Sequence, residues 1–225
     1  LARLMAQLPG LIYSQRSLSD GSHELLVNLY VDSEADVTIG DATVHITQTT
    51  NYPWDGQVTL AVTSDSPVNV RLRMRAPGWL ADQPFGTDLY TFATAVSEQP
   101  SWGLADASTA GAPSGGWMDV DPSASDASTQ TARVEVNLPM PVRRVVAHAG
   151  VEEDAGKAAI QRGPVLYAIE GIDNGGSLAD LTVPMSAQFI EAFQADLLGG
   201  VEALTATVEV ADGTMRTVMA VPYFA

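Results

Sequence analysis

Through the middle of the chain, apolar side chains fall on every second position. Val58, Leu60 and Val62 alternate with Thr59 and Ala61, and Val68, Val70, Leu72 and Met74 alternate with Asn69, Arg71, Arg73 and Arg75. A period of two sends successive side chains to opposite faces of an extended strand, so each of these segments has one core face and one solvent face. Similar runs recur at Leu25–Val31, Asp36–Gly40 with Ala42–Ile46 around a Gly40-Asp41 turn, and 132–138. They return at 142–148, 158–160, 165–170, 204–210 and 217–221, the last two joined by Asp212-Gly213. Many short strands closed by turn residues, with no helical crossovers between them, predict a mainly β fold of antiparallel β-sandwiches. Leu1, Leu4, Met5 and Leu8 keep helical spacing until Pro9-Gly10, which predicts the end of an α-helix at the start of the chain. Residues 189–198 fit either period. The Ser/Ala/Gly-rich stretch 97–130, with Trp102 and Trp117, reads as a long, mobile surface loop with one or two short anchored pieces. Pro139-Met140-Pro141 marks an internal boundary.

Hydrophobic residues make up 46% of the 225, enough for a core. Acidic residues outnumber basic ones 27 to 11, for a net charge of -16. That balance argues against nucleic acid and against an anionic membrane surface, both of which select Lys and Arg. Neutral partners such as sugars remain open. No stretch has the apolar length of a membrane span. There is no cysteine, which excludes disulfides and thiolate metal sites within these residues. His23, His45 and His148 lack ligand spacing and read as ordinary surface or turn histidines. The apolar beginning and the apolar final run, Val218–Ala225, are expected where a piece has been cut from a larger protein.

The connection Thr47–Gly56 combines turn formers with two large aromatics, Tyr52 and Trp54. Such rings either pack as a plug or stack on a sugar, and packing is the commoner use. Arg71, Arg73 and Arg75 share one face of a strand. They either take an anionic ligand or pair with acidic residues of a neighbouring strand. Glu152-Glu153-Asp154 reads as a solvated turn, not a paired-carboxylate site. Trp102 and Trp117 are placed to dock on a partner surface.

Specific residues carry a resemblance. Asn28-Leu29-Tyr30-Val31, Ile39-Gly40, Ile46-Thr47-Gln48-Thr49 with Tyr52-Pro53-Trp54-Asp55-Gly56, and Arg75 with Pro77-Gly78-Trp79 stand in order. They are followed by Leu138-Pro139-Met140-Pro141-Val142-Arg143, Ala147-His148, Gly156-Lys157 and Arg162-Gly163-Pro164 with Tyr167 and Glu170. Together these resemble the non-catalytic part of glycoside hydrolase family 127, the β-L-arabinofuranosidase family. The stretch 80–130 carries little of the match. The resemblance implies an (α/α)6 barrel before Leu1 whose last helix continues into Leu1-Ala2-Arg3-Leu4. It also implies that the zinc ligands, the cysteine nucleophile and the acid/base glutamate lie outside this chain. The expected organisation is a barrel-helix end at 1–16, a middle β-sandwich at 17–138 and a C-terminal β-sandwich, truncated, at 139–225. No catalytic or metal residue is expected within the chain, and the substrate-binding residues are left open. Zinc belongs to the missing barrel. Expected partners are that barrel, an arabinose-containing glycan and a second subunit in a homodimer. A free-standing carbohydrate-binding module using Tyr52, Trp54 and Trp79 as a platform is the competing reading.

Overall fold

The structure, a computed structural model, describes residues 2–68, 70–81, 88–93, 100–104, 107–110, 113–120, 131–179 and 181–224. One short helix, α1 (Ala2–Gln7), runs into a 3-10 turn at Leu8–Leu11, and Met5, Leu8 and Leu11 are exposed. The rest is built on strands. It divides into two compact units, Leu1–Gln83 with Val96–Met140, and Pro84–Ala95 with Pro141–Ala225.

The first unit holds β1 (Tyr13–Ser17), β2 (His23–Val27), β3 (Ser33–Ile39), β4 (Ala42–Thr50), β5 (Gln57–Ser64) and β6 (Val70–Arg75). After β7 (Tyr90–Phe92), which belongs to the second unit, come β8 (Ser101–Leu104), β9 (Ala107–Ala110), β10 (Trp117–Val120) and β11 (Thr131–Asn137). Two sheets result, in the orders β1-β2-β6-β10 and β3-β4-β5-β11-β8-β9. Leu25, Val27, Leu72, Met74 and Met118 on the first sheet are buried, as are Ile46, Leu60, Val134 and Val136 on the second. Each such side chain is worth roughly 1.5–3 kcal/mol when removed from water. The hairpin β3–β4 turns through Gly40-Asp41, with Gly40 at φ +61, the conformation a two-residue connection requires of its first residue.

Sequence and structure differ at several places. Residues 13–16, expected within the barrel-helix end at 1–16, lie on β1 and pair with β2. The expected strand Leu25–Val31 stops at Val27, because residues 28–32 cross from one sheet to the other. As a result β6 lies parallel to β2; the other ladders among the described strands are antiparallel. The stretch read as a loop, 97–130, contains β8, β9 and β10 among its described residues. Four-residue strands carry too little period to be seen alone; β8 is held by its ladders to β11 and β9. Trp102 lies on β8 with its backbone opposite Val136, and its side chain falls outside what is described.

The other two differences concern the second unit, which is one continuous eight-stranded sheet. Its strands are β7, β12 (Val142–Ala147), β13 (Ala158–Arg162), β14 (Val165–Ile169), β15 (Leu181–Thr182), β16 (Ile190–Gln194), β17 (Val201–Val210) and β18 (Met215–Pro222). Residues 90–92, read from sequence within 17–138, pair here with β12. The ambiguous run 189–198 supplies β16, paired with β17; all five of its residues are exposed, which is why it shows no clean alternation. Ile160, Val165, Tyr167, Leu204 and Ala220 form one core cluster, with Ala206, Val208 and Val218 in another.

Gly56 marks a close approach of backbone to backbone. Its carbonyl accepts the Leu138 amide at 3.0 Å, and a Cβ at this position would sit 1.9 Å from the Leu138 carbonyl oxygen. Gly56→Ala is expected to lower stability by about 1–3 kcal/mol, in the range of overpacked cores. Gly10→Ala, where an added Cβ meets nothing within 4 Å, should be close to neutral. Urea unfolding of the two variants checks the contrast.

Candidate functional site

The connection between β4 and β5 is closed by its own polar groups. Thr50 Oγ1 donates to the Gln57 carbonyl at 2.6 Å and accepts the Tyr52 amide at 3.1 Å. The Asp55 carboxylate accepts the Gln57 amide at 2.9 Å, and Trp54 N–H reaches the Asn51 carbonyl at 2.8 Å. This framework turns Tyr52 toward Tyr30, whose ring centroid lies 5.6 Å away at an interplanar angle of 63°, an edge-to-face contact. The Tyr30 hydroxyl donates to the Arg75 carbonyl. Trp79, only 8% exposed, lies beside Tyr52. Burial pushes the Tyr30 phenol well up from its ordinary value and raises that of Tyr52, where the Trp79 side chain opposes the shift. Tyr30, Tyr52 and Trp79 are therefore a packed plug inside the first unit. The proposed sugar platform of Tyr52, Trp54 and Trp79 loses a member, since a ring as buried as Trp79 has no face to offer. Trp54 is half-buried.

The arginine row pairs with acidic neighbours. Register puts Glu24 opposite Arg16 on one side and Arg71 on the other. Glu24 is buried, and it accepts from Arg16 Nε at 2.9 Å, with Arg71 and Arg73 guanidiniums each 3.9 Å away. Arg73 Nε also donates to Asp119 at 2.5 Å, and its guanidinium lies 5.4 Å from the Trp117 ring centroid. Trp117 is thus half-buried on β10, opposite Arg75. A carboxylate taken this far from water needs such partners, because leaving it unpaired costs several kcal/mol.

The remaining candidates stay apart. His45 contacts Asp36 at 2.5 Å on an exposed face, His23 lies 3.3 Å from Ser17 Oγ, and His148 Nδ1 accepts the Gly150 amide at 3.0 Å. In the 3-10 turn Glu152–Asp154, Asp154 accepts from Tyr90 at 3.1 Å and the Glu153 carbonyl accepts from Lys157 at 2.6 Å. Asp154, Tyr90 and Lys157 edge a hollow of about 640 Å³ floored by Val145, Ala159 and Leu166. No paired-carboxylate geometry arises there.

Sequence reasoning missed the arginines of the second unit. Arg144 donates to the carbonyls of Pro184, Met185 and Ala187 at 2.8–3.1 Å, and burial pulls its pKa down. Arg143 lies 3.3 Å from the Phe92 ring centroid, and Arg162 pairs with Glu191 at 2.7 Å. The only signal was their placement on strands, next to apolar positions. These are structural contacts. The zinc implied by the resemblance does not fit the donors present: the sequence has no cysteine, and among the described residues no three of His, Asp and Glu converge.

Buried tyrosines give the chain an alkaline limit. Tyr167 is pushed up to about 12, first by burial and then by the nearby Glu202 and Glu191 carboxylates, with Arg162 opposing. A raised folded-state pKa means stability is intact below the unfolded value near 10 and declines as pH climbs through the folded value. Stability is expected to fall between about pH 10 and 12. Tyr167→Phe should flatten part of that fall, as read from urea midpoints across the interval.

Comparison with known proteins gives a consistent result. Residues 24–140 match the profile described as "Beta-L-arabinofuranosidase, GH127 middle domain", and residues 142–225 match "Glycoside hydrolase family 127 C-terminal domain". A non-reducing end β-L-arabinofuranosidase of Bifidobacterium longum subsp. longum is 31% identical over 208 residues, 90% of this chain and 28% of that protein. The crystal structure of a GH127 β-L-arabinofuranosidase from Geobacillus stearothermophilus T6 superposes with a TM-score of 0.81 at 31% identity, covering all of this chain and 34% of that one. A second GH127 β-arabinofuranosidase shares the fold, with a TM-score of 0.82 at 24% identity over 99% of this chain and 35% of its own length. The chain thus spans about a third or less of these relatives.

Proposed function

The chain belongs to glycoside hydrolase family 127, and from that premise we propose that it is the non-catalytic β portion of an enzyme releasing terminal β-L-arabinofuranosyl residues from plant-type glycans. One observation carries this reading: the middle-domain and C-terminal-domain profiles together account for residues 24–140 and 142–225, leaving no segment for a separate catalytic domain between them.

The chemistry of the side chains supports the same division. Hydrolysis of a glycosidic bond needs an acid/base group and, in retaining enzymes, a nucleophile on either side of one bond. The acidic side chains that cluster in the described residues are engaged otherwise, Glu24 and Asp119 with arginines and Asp154 with Tyr90. In our reading the described residues hold position. The tyrosine plug and the Glu24 ladder keep the first unit rigid, and the Arg144 clamp ties residues 184–187 to β12. The role follows: support for a catalytic barrel carried elsewhere in the protein.

The test compares two proteins on a chromogenic β-L-arabinofuranoside. The 225-residue chain alone is expected to release no arabinose, whereas a protein extended upstream through its coding sequence should turn the substrate over. Turnover by the chain alone, or an inactive extended protein that is folded and metal-loaded, would refute the assignment.

A further inference from the structure

The outer face of the sheet β1-β2-β6-β10 is cationic on a chain whose net charge is -16. Four of the 11 cationic side chains, Arg16, Arg71, Arg73 and Arg75, stand on it. Strand register brings two carboxylates to the same face, Glu24 and Asp119. Asp20, in the turn before β2, lies within electrostatic reach of Arg71 at the rim.

The pairing is uneven. Arg16 bonds Glu24 and Arg73 bonds Asp119, which satisfies both carboxylates. Arg71 stands 3.9 Å from a carboxylate already bonded, with its side chain 53% exposed. Arg75, also exposed, lies two positions beyond Arg73, opposite the half-buried ring of Trp117. Residues two apart on a strand are separated by roughly 7 Å, so Arg71, Arg73 and Arg75 form a row of guanidiniums at regular spacing beside an indole.

A row of guanidiniums takes carboxylates, often through two parallel bonds. A nucleic acid or another densely charged polymer would be repelled by the acidic bulk of the molecule. A chain of sugar carboxylates has a lower charge density and presents its carboxylates at intervals. We propose that this face binds the uronate carboxylates of an acidic glycan. The proposal rests on the glycosidase reading above and extends it to the backbone of the substrate.

The experiment is calorimetric titration of the full chain with tetragalacturonate. The comparators are the same oligomer fully methyl-esterified and a neutral arabino-oligosaccharide. Binding of the free acid is expected, weakening as salt rises, with none for the ester. Arg75→Gln alone should weaken it, and Arg71→Gln with Arg75→Gln should weaken it about tenfold. Arg133→Gln, on the other sheet and paired with Glu135 at 3.1 Å, should leave it unchanged. Circular dichroism confirms that each variant is folded. No binding of the free acid, equal binding of the ester, or an Arg75→Gln variant that binds as well as the parent overturns the proposal. So does self-association that depends on these arginines, since the occupant would then be a second copy. Arabinose release by the extended protein is a separate readout: release without tetragalacturonate binding removes only this proposal, and binding without release removes only the enzyme assignment.

Discussion

The first unit depends on how the chain crosses from one sheet to the other between Val27 and Ser33. Residues in that passage have no ladder, yet their backbone groups must still find partners. Gln48, buried at the middle of β4, answers them: its Nε2 reaches the carbonyls of Leu29 at 3.2 Å and Val31 at 3.0 Å, and also the Tyr13 hydroxyl at 3.2 Å. Asp32 accepts the Thr50 amide at 2.6 Å, and Asn28 N–H reaches the Ile12 carbonyl at 2.8 Å. The crossover is thus tied to both layers. Tyr30, at its centre, extends the tie to Tyr52 and to β6 through the Arg75 carbonyl. The aromatic plug and the arginine ladder are two ends of one connected structure.

This connection explains why Tyr52 is held in packing. Tyr52 cannot turn outward without leaving Tyr30 and Trp79. The arginines differ in that only part of the row is consumed. Burial of Glu24 requires compensation by positive charge, and the compensation exceeds what one carboxylate uses. The same row therefore stabilises the sheet and leaves cationic surface over.

Much of the architecture was legible from periodicity. The alternations at 58–62, 70–75, 132–137 and 204–208 became buried faces because a period-two pattern has one structural meaning once both turn ends are marked. Short strands were not legible. β8 and β9 gain their hydrogen bonds from β11 and each other, information that no local window contains. The crossing at 28–32 was invisible for a related reason: Leu29, Tyr30 and Val31 are as apolar as a strand, and only the buried amide of Gln48 across the unit releases them from a ladder. At the candidate site, pairing with acidic residues of a neighbouring strand is one of the two uses that the shared strand face of Arg71 and Arg73 suggests, but Glu24 as their shared partner requires the parallel register of β2 and β6. Arg144 and Arg143 gave little warning, since a cation held by carbonyls or an aromatic ring leaves no charge pattern in the sequence.

We propose that the reactive centre of the intact protein lies outside these 225 residues. Metal content is the direct check. The purified chain, equilibrated with zinc, passed through a desalting column and measured by elemental mass spectrometry, is predicted to retain far less than one zinc per molecule. One zinc per chain, retained against a weak chelator, would contradict the account.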